Sequence, residues 1–86
     1  MSFYFHLVNH LYIMDTKAEK QLLIKIGNKI KMLRAENNLS QFQLSIDAGI
    51  PKNQVGRIER AEINTTILTL SKIAKVFKVD IKFFFD

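Results

Sequence analysis

Cysteine is absent from this 86-residue sequence, and histidine occurs only twice. The absence of cysteine excludes disulfides, zinc-thiolate sites and thiol chemistry, and it is consistent with a reducing cytoplasm. His6 and His10 have the i, i+4 spacing that suits a metal on a helix, but no third ligand lies nearby and the acids of an HExxH site are missing. No phosphate-cradling glycine loop and no Ser/His/Asp arrangement is present. We therefore expect neither an enzyme nor a bound metal, cofactor or small-molecule ligand.

A long hydrophobic run is also missing. The aromatic and apolar stretch MSFYFHLVNHLYIM ends at Met14, so it is too short for a transmembrane helix, and it lacks the basic region and cleavage site of a signal peptide. Either a strand or an apolar helix fits its pattern. We interpret residues 1–15 as an arm with no nucleic-acid role and no membrane partner, preceding a domain at residues 16–86; Met14, followed by polar DTKAEKQ, is an alternative start. A membrane-surface or dimer contact is the alternative role for its side chains Phe3, Tyr4, Phe5, Leu7, Leu11 and Tyr12.

Basic residues outnumber acidic ones by 13 to 8, which gives a net charge of +5. The charges of residues 1–21 cancel, so the whole excess lies on the rest of the chain. Such an excess suits a polyanionic partner. The length and an apolar content of 48% allow one small domain with a single helical core.

The segment Leu39–Ala61 has the pattern of two short helices joined by a tight turn. Apolar and small residues share one side of Phe42–Ala48, and Gly49 then interrupts the pattern. Pro51 favours the first turn of a second helix, residues 52–60, whose outer side carries long polar side chains. This arrangement describes a helix-turn-helix. The residues predicted to face the core are Leu44, Ser45, Ala48, Ile50, Val55 and Ile58.

A longer helix is predicted before this motif. Asp15 or Thr16 caps it, with Glu19 completing a capping box, and it ends at about Asn37. Its predicted apolar stripe consists of Leu22, Leu23, Ile26, Ile30 and Leu33. Its predicted solvent side carries Lys25, Lys29 and Lys31.

Capping residues also mark the other helices. Ser40 and Gln43 form an S-x-x-Q capping box for the second helix, Thr65 or Thr66 caps a fourth helix, and Asp80 caps a short last one. The residues predicted to face the core are Ile67, Leu70, Ile73, Ala74 and Phe77 in the fourth helix, with Ile81 and Phe84 in the last. Phe83 and Phe85 have no evident place in the core, which indicates a partner surface.

The run LSQ, followed by Leu44, Gly49 and the later RIER, resembles the phage-repressor or Xre-type helix-turn-helix family of DNA-binding regulators. The likeness extends upstream to IKMLRAENN and downstream through ILTLSKIAKVFKVDI. It implies an all-α, five-helix, lambda-repressor-like domain that binds duplex DNA sequence-specifically. Ser45, Ala61 and Thr65 stand where the family usually has Ala, Gly and Pro. Ser45 is small enough for the motif, whereas Ala61 and Thr65 depart from the family pattern in the loop after its second helix.

The resemblance also implies roles for individual residues. In the family, the residue at Arg34 pairs with the one at Glu59, which ties the first helix to the third. Gln41 lies where the family's glutamine reaches a DNA phosphate. Asn64 is a further candidate phosphate contact because backbone amides lie near it.

Base readers are predicted in the second helix of the motif, because Arg or Lys can bind guanine and Asn or Gln can bind adenine in the major groove. The predicted base contacts are Lys52, Asn53, Gln54 and Arg57. Arg60, one turn later, and Lys25 on the first helix are predicted phosphate contacts. Gly56 allows two interpretations: it permits close approach to the duplex, or it is a tolerated surface glycine.

We therefore expect a transcriptional regulator, a repressor that binds an inverted-repeat operator as a homodimer through Phe83 and Phe85. One alternative is an antitoxin or a restriction-modification controller that represses its own operon. Another is a protein-interaction module that keeps the fold without binding DNA.

Overall fold

The computed structural model describes the backbone of residues 2–86 and the side chains of residues 16–86. The elements in order are α1 (Ser2–Glu36), α2 (Gln41–Ala48), α3 (Gln54–Glu59), α4 (Ile67–Phe77) and a terminal 3-10 helix (Ile81–Phe85). No strand occurs in the described backbone. The predicted all-α class is confirmed, with a 3-10 helix in place of the fifth predicted helix.

α1 begins much earlier than predicted. Its backbone is helical from Ser2 onwards, so Thr16 lies inside the helix and the predicted capping box with Glu19 is wrong. Of the two alternatives for the N-terminal stretch, the backbone is the helix. This helix continues without a break into the polar segment DTKAEKQ, so no second helix starts there. The side chains of the arm, including His6 and His10, lie outside the described residues. Across the described part of the chain, no helix is both long and apolar enough to cross a membrane.

Side-chain caps begin α2, α4 and the 3-10 helix. The Ser40 hydroxyl accepts a hydrogen bond from the backbone N–H of Gln43 at 2.9 Å, as predicted. The second half of the capping box is replaced, because the side-chain amide of Gln43 donates to the Asp47 carboxylate at 2.8 Å. Thr66 caps α4 and Asp80 caps the 3-10 helix in the same way.

Several helices end at a residue with left-handed backbone. Gly49 ends α2 with φ +67°, as its position in the sequence predicted. Asn38, Ala61 and Lys78 also have positive φ, at 53°, 57° and 56°. A residue with a Cβ is strained in this conformation by about 1–2 kcal/mol, so Lys78 at the end of α4 is a local weakness.

One hydrophobic core joins all five elements. Its largest fully buried side chains are Ile30, Leu44, Val55, Ile73 and Phe84. Leu22 and Ile67 were predicted to be buried but are 40% and 65% exposed. Both residues lie N-terminal to the buried stripes of their helices, which begin at Ile26 in α1 and at Leu70 in α4.

The terminal 3-10 helix packs on α1. Lys29 covers the Phe83 ring, with its Nζ 4.8 Å from the ring centroid, and donates to the Phe83 carbonyl at 2.6 Å. Phe83 therefore lies partly buried against the core, contrary to the prediction that it has no place there. Phe85 remains 40% exposed.

Candidate nucleic-acid interface

α2 and α3 form the predicted helix-turn-helix, with a short turn between them. Ser45 is 2% exposed and its hydroxyl donates to the Phe42 carbonyl at 2.6 Å, so a small polar residue is accommodated inside the motif. The chain then turns, with the Gln54 N–H donating to the Pro51 carbonyl at 3.0 Å. α3 therefore begins at Gln54 rather than at residue 52, because Pro51 starts this turn instead of the helix itself.

The start of α3 presents three polar side chains that the fold does not use. Lys52 and Asn53 are exposed and Gln54 is partly exposed. Asn53 occupies the cap position but makes no side-chain capping bond. Among the described residues, no hydrogen bond or ion pair engages the side chain of any of the three. Their donor and acceptor groups are thus available to a ligand.

Glu62 holds the two arginines of this region. Its carboxylate accepts a hydrogen bond from Arg60 Nε at 2.7 Å and lies 3.9 Å from Arg57 Nε. The hydrogen bond from Arg60 lowers the pKa of Glu62, and the same bond raises the pKa of Arg60. All three side chains are about half exposed, so the arginines can leave Glu62 for another anion at small cost.

A polar network joins α1, α2 and α3. Arg34 donates through Nε and Nη2 to the two carboxylate oxygens of Glu59, the second at 2.9 Å, and through Nη1 to the Leu39 carbonyl at 2.9 Å. Gln41 Nε2 donates to the same Glu59 carboxylate at 3.0 Å. The hydrogen bond with Glu59 raises the pKa of Arg34. The ion pair that the family resemblance implied is therefore present, and the predicted phosphate contact Gln41 bonds to the same carboxylate.

Gly56 is buried in the free protein, so the surface-glycine interpretation is wrong. A Cβ at this position would lie 3.0 Å from Arg60 Nη1 and 3.0 Å from Gln41 Oε1. The missing side chain thus leaves room for two flexible polar side chains on the outer surface of α3. Close approach to DNA at Gly56 would require these two side chains to move.

The other predicted contacts lie elsewhere on the molecule. Asn64 is exposed in the loop before α4, and the neighbouring Thr65 has a buried hydroxyl without a hydrogen-bond partner among the described residues. Lys25 Nζ donates to the Phe85 carbonyl at 3.2 Å, so it lies beside the terminal 3-10 helix. The structure therefore brings the α3 residues and Gln41 together, but it places Lys25 with the C-terminal segment.

Sequence reasoning missed three residues that shape this region. Lys20 Nζ donates to the Ala61 carbonyl at 2.9 Å, Glu62 holds both arginines, and Gly27 of α1 contacts the end of α3. The one available signal was a glycine in the middle of a predicted helix, where glycine is unfavourable without a packing reason. Lys20 and Glu62 had no distinguishing pattern among the other charged residues.

Residues 30–84 match the sequence model of the Helix-turn-helix family. Among characterised proteins, the chain is 34% identical over 56 residues to the control protein C.SmaI of Serratia marcescens, covering 65% of this chain and 67% of that protein.

Two solved structures are similar. The restriction-modification controller protein C.AhdI of Aeromonas hydrophila superposes with a TM-score of 0.69 and 27% identity, over 72% of this chain and 94% of that one. An HTH_3-family transcriptional regulator of Vibrio cholerae gives a TM-score of 0.73 and 34% identity over 78% of this chain, which spans 38% of that longer protein.

The family is one of DNA-binding regulators rather than of enzymes. The family match covers more than half of the chain, and it includes α2, α3 and the polar residues that surround them. The chain belongs to the helix-turn-helix family of DNA-binding transcriptional regulators.

Proposed function

We propose that this protein is a cytoplasmic repressor that binds an inverted-repeat operator as a homodimer and reads sequence with the start of α3. The observation that carries the proposal is the set of unused polar side chains at Lys52, Asn53 and Gln54. Uncommitted amide and ammonium groups at the first turn of the second helix of this motif are the groups that bind base edges in the major groove.

The proposed reading surface consists of Lys52, Asn53 and Gln54, and Arg57 extends it by one helical turn. Its guanidinium is half exposed and lies 3.9 Å from Glu62, a distance too long for a strong hydrogen bond. A guanine presents two acceptors to a guanidinium and gives a bidentate pair worth about 1–3 kcal/mol of discrimination. Arg57 therefore gains more from a base than it loses on leaving Glu62.

Phosphate contacts set the position of the domain on the duplex. Gln41 is suited to this role even though it binds Glu59, because its amide has a second N–H that remains available. Arg60, at the end of α3, and Asn64, in the loop that follows, are both exposed, and we assign them phosphates. Lys25 is the weakest of the proposed contacts, since its ammonium already binds the Phe85 carbonyl.

Selection of bound duplexes from a random pool tests the proposal. We expect an enriched inverted repeat, and we expect binding to random duplex and heparin to fall steeply between roughly 50 and 200 mM salt. Binding that is insensitive to salt, together with no enriched sequence, would favour a protein-interaction module and contradict a DNA-reading role.

Arg57→Ala is the sharper test of the base readers. We expect it to relax preference at one or two base pairs, at a cost of roughly 1–3 kcal/mol for the selected duplex. Lys25→Ala is the control that removes the same charge, and it should weaken all sequences alike or have no effect. An unaltered preferred sequence in the Arg57→Ala protein would show that the assignment of base readers is wrong.

A controller role in a restriction-modification operon is the second candidate. It is supported by the similarity to C.SmaI and C.AhdI, the latter over nearly the whole of that controller. In that role, as in the antitoxin alternative, the selected operator lies upstream of the protein's own operon. The neighbouring genes then distinguish controller, antitoxin and general regulator.

A further inference from the structure

α1 and α3 touch through their backbones at Gly27. A Cβ built on Gly27 would lie 2.6 Å from the Glu59 carbonyl oxygen and 2.7 Å from that of Ile58. It would also lie 3.0 Å from the Glu59 carbonyl carbon, whereas ordinary van der Waals contact begins at 3.4 Å. Because these neighbours are backbone atoms, they cannot rotate away from an added methyl group.

Space rather than conformation explains this glycine. Among the described glycines, only Gly49 has a positive φ, and a Cβ there would meet nothing within 4 Å. Gly27 has ordinary helical backbone, where alanine is the more favourable residue. A glycine inside α1 is therefore best explained by the close crossing that it permits.

The same face of α1 holds the end of α3 at two more points. Lys20 binds the Ala61 carbonyl just beyond α3, and Arg34 binds Glu59, the last residue of α3. Lys20, Gly27 and Arg34 are spaced by seven residues, which is about two helical turns, so they lie along one side of α1. α1 thus contacts α3 at its C-terminal end.

We propose that Gly27 is a positioning residue for DNA recognition. The absence of its side chain lets the end of α3 pack directly on the backbone of α1, and this contact fixes the angle at which α3 meets DNA. An added methyl group needs about 0.8 Å more room to move from 2.6 to 3.4 Å. The α2 turn holds the other end of α3, so this displacement tilts the short helix. Base-edge hydrogen bonds tolerate only a few tenths of an ångström, whereas flexible basic side chains can follow a phosphate.

The proposal rests on the proposed base-reading role of α3, and Gly27→Ala tests it. We expect the melting temperature to fall by roughly 5–15 °C, although alanine is the better helix former. With both proteins folded, the ratio of affinity for selected over random duplex should shrink by roughly 5- to 100-fold. Binding to random duplex should change by less than about twofold, because phosphate contacts survive the tilt.

Two controls separate positioning from stability. Asn28→Ala, at the exposed neighbour of Gly27, reports helix propensity alone and should leave the melting temperature unchanged or slightly raised. Ile73→Val removes a methylene from the core in α4, away from the crossing, and should lower the melting temperature while the affinity ratio stays unchanged. A Gly27→Ala protein that behaves like either control would overturn the proposal.

A milder pair of variants covers the case in which Gly27→Ala does not fold. Lys20→Met removes the bond to the Ala61 carbonyl, and Lys17→Met removes the same charge from an exposed site nearby. We expect the ratio of affinity for selected over random duplex to fall in Lys20→Met and to stay unchanged in Lys17→Met. An equal ratio in the two variants would contradict a role of the α1–α3 contact in recognition. If the parent protein itself prefers no sequence, the proposed function fails, and the amide chemical shifts of α3 in Gly27→Ala then decide whether Gly27 positions the helix.

Discussion

At the scale of single residues, Glu59 connects three helices, α1, α2 and α3. It is 8% exposed, and its carboxylate accepts hydrogen bonds from Arg34 of α1 and from Gln41 of α2. A buried carboxylate is stable only when its charge is paired and its oxygens are hydrogen bonded. Glu59 meets both conditions through Arg34 and Gln41, so it stabilises the fold only while these two partners remain bound to it.

Replacing Glu59 with alanine should lower the free energy of unfolding by roughly 3 kcal/mol, because Arg34 then keeps only the Leu39 carbonyl in a mostly buried site. Urea denaturation measures the loss, and Glu36→Ala, at an exposed site on α1, is the control. DNA binding should weaken only through this loss of stability. Normal unfolding combined with abolished binding would instead place Glu59 at the DNA.

Glu62→Gln should raise affinity for DNA of any sequence by up to about fivefold, since it releases Arg57 and Arg60 from an anionic competitor. The affinity should also fall more steeply with salt, because more free cationic groups then release counterions. Titration of labelled duplex at several salt concentrations measures both effects. Glu36→Gln removes the same charge from a site without an ion pair among the described residues and should have a smaller effect. Weaker binding by Glu62→Gln would mean that Glu62 orients the arginines for DNA.

At the scale of elements, α3 depends on its neighbours. Six residues are far too few for a helix that is stable by itself, and α3 contains a glycine as well. Val55 and Ile58 anchor it in the core, and its C-terminal end is held by the contacts from α1. α3 is therefore a short helix whose existence and angle are both set by packing.

The end of α4 offers a test of local strain. Lys78 is exposed with φ +56°, so glycine should relieve the strain of a left-handed residue with a Cβ. We expect Lys78→Gly to raise the free energy of unfolding by about 1 kcal/mol, measured by urea denaturation. Lys75→Gly removes the same charge within α4 and should lower it by about 1 kcal/mol. A destabilised Lys78→Gly protein would show that the lysine side chain contributes more than the strain costs.

At the scale of the whole molecule, one copy carries a single α3 for the proposed reading of DNA. A single helix contacts only a few base pairs, which is too little to select one site in a genome, so we propose that two copies bind together. A two-fold pair would place its α3 helices about 34 Å apart, one turn of DNA. Phe85 remains the proposed contact because it is 40% exposed, whereas Phe83 is partly covered by Lys29.

Sedimentation with duplexes that carry one or two half-sites tests the dimer. We expect a second copy to bind the two-half-site duplex more tightly than the first, and Phe85→Ala to remove this gain. Leu68→Ala is the matched control, because it truncates another exposed apolar side chain on α4. Equal affinity of both copies in the parent protein would contradict cooperative dimer binding, and loss of the gain in Leu68→Ala instead would move the contact to α4.

Much of the architecture could be predicted from local sequence patterns. The caps at Ser40, Thr66 and Asp80 and the turn at Gly49 depend on short-range backbone chemistry, which a few neighbouring residues specify. The buried stripes follow helical periodicity because a helix shows one face to the core. The resemblance to helix-turn-helix regulators supplied the Arg34–Glu59 pair, which links residues far apart in the chain.

Tertiary structure decided what those patterns could not. Sequence alone could not show that Gly56 lies beneath Gln41 and Arg60, or that Glu62 holds the arginines, because each contact depends on where separate segments cross. The role of Gly27 depends on a crossing between helices that are about thirty residues apart in the chain. Periodicity and capping residues predicted the helices apart from the starts of α1 and α3, most of their core faces and the polar character of α3. The distance between α1 and α3 could not be predicted in this way, because it depends on the packing of all the helices at once.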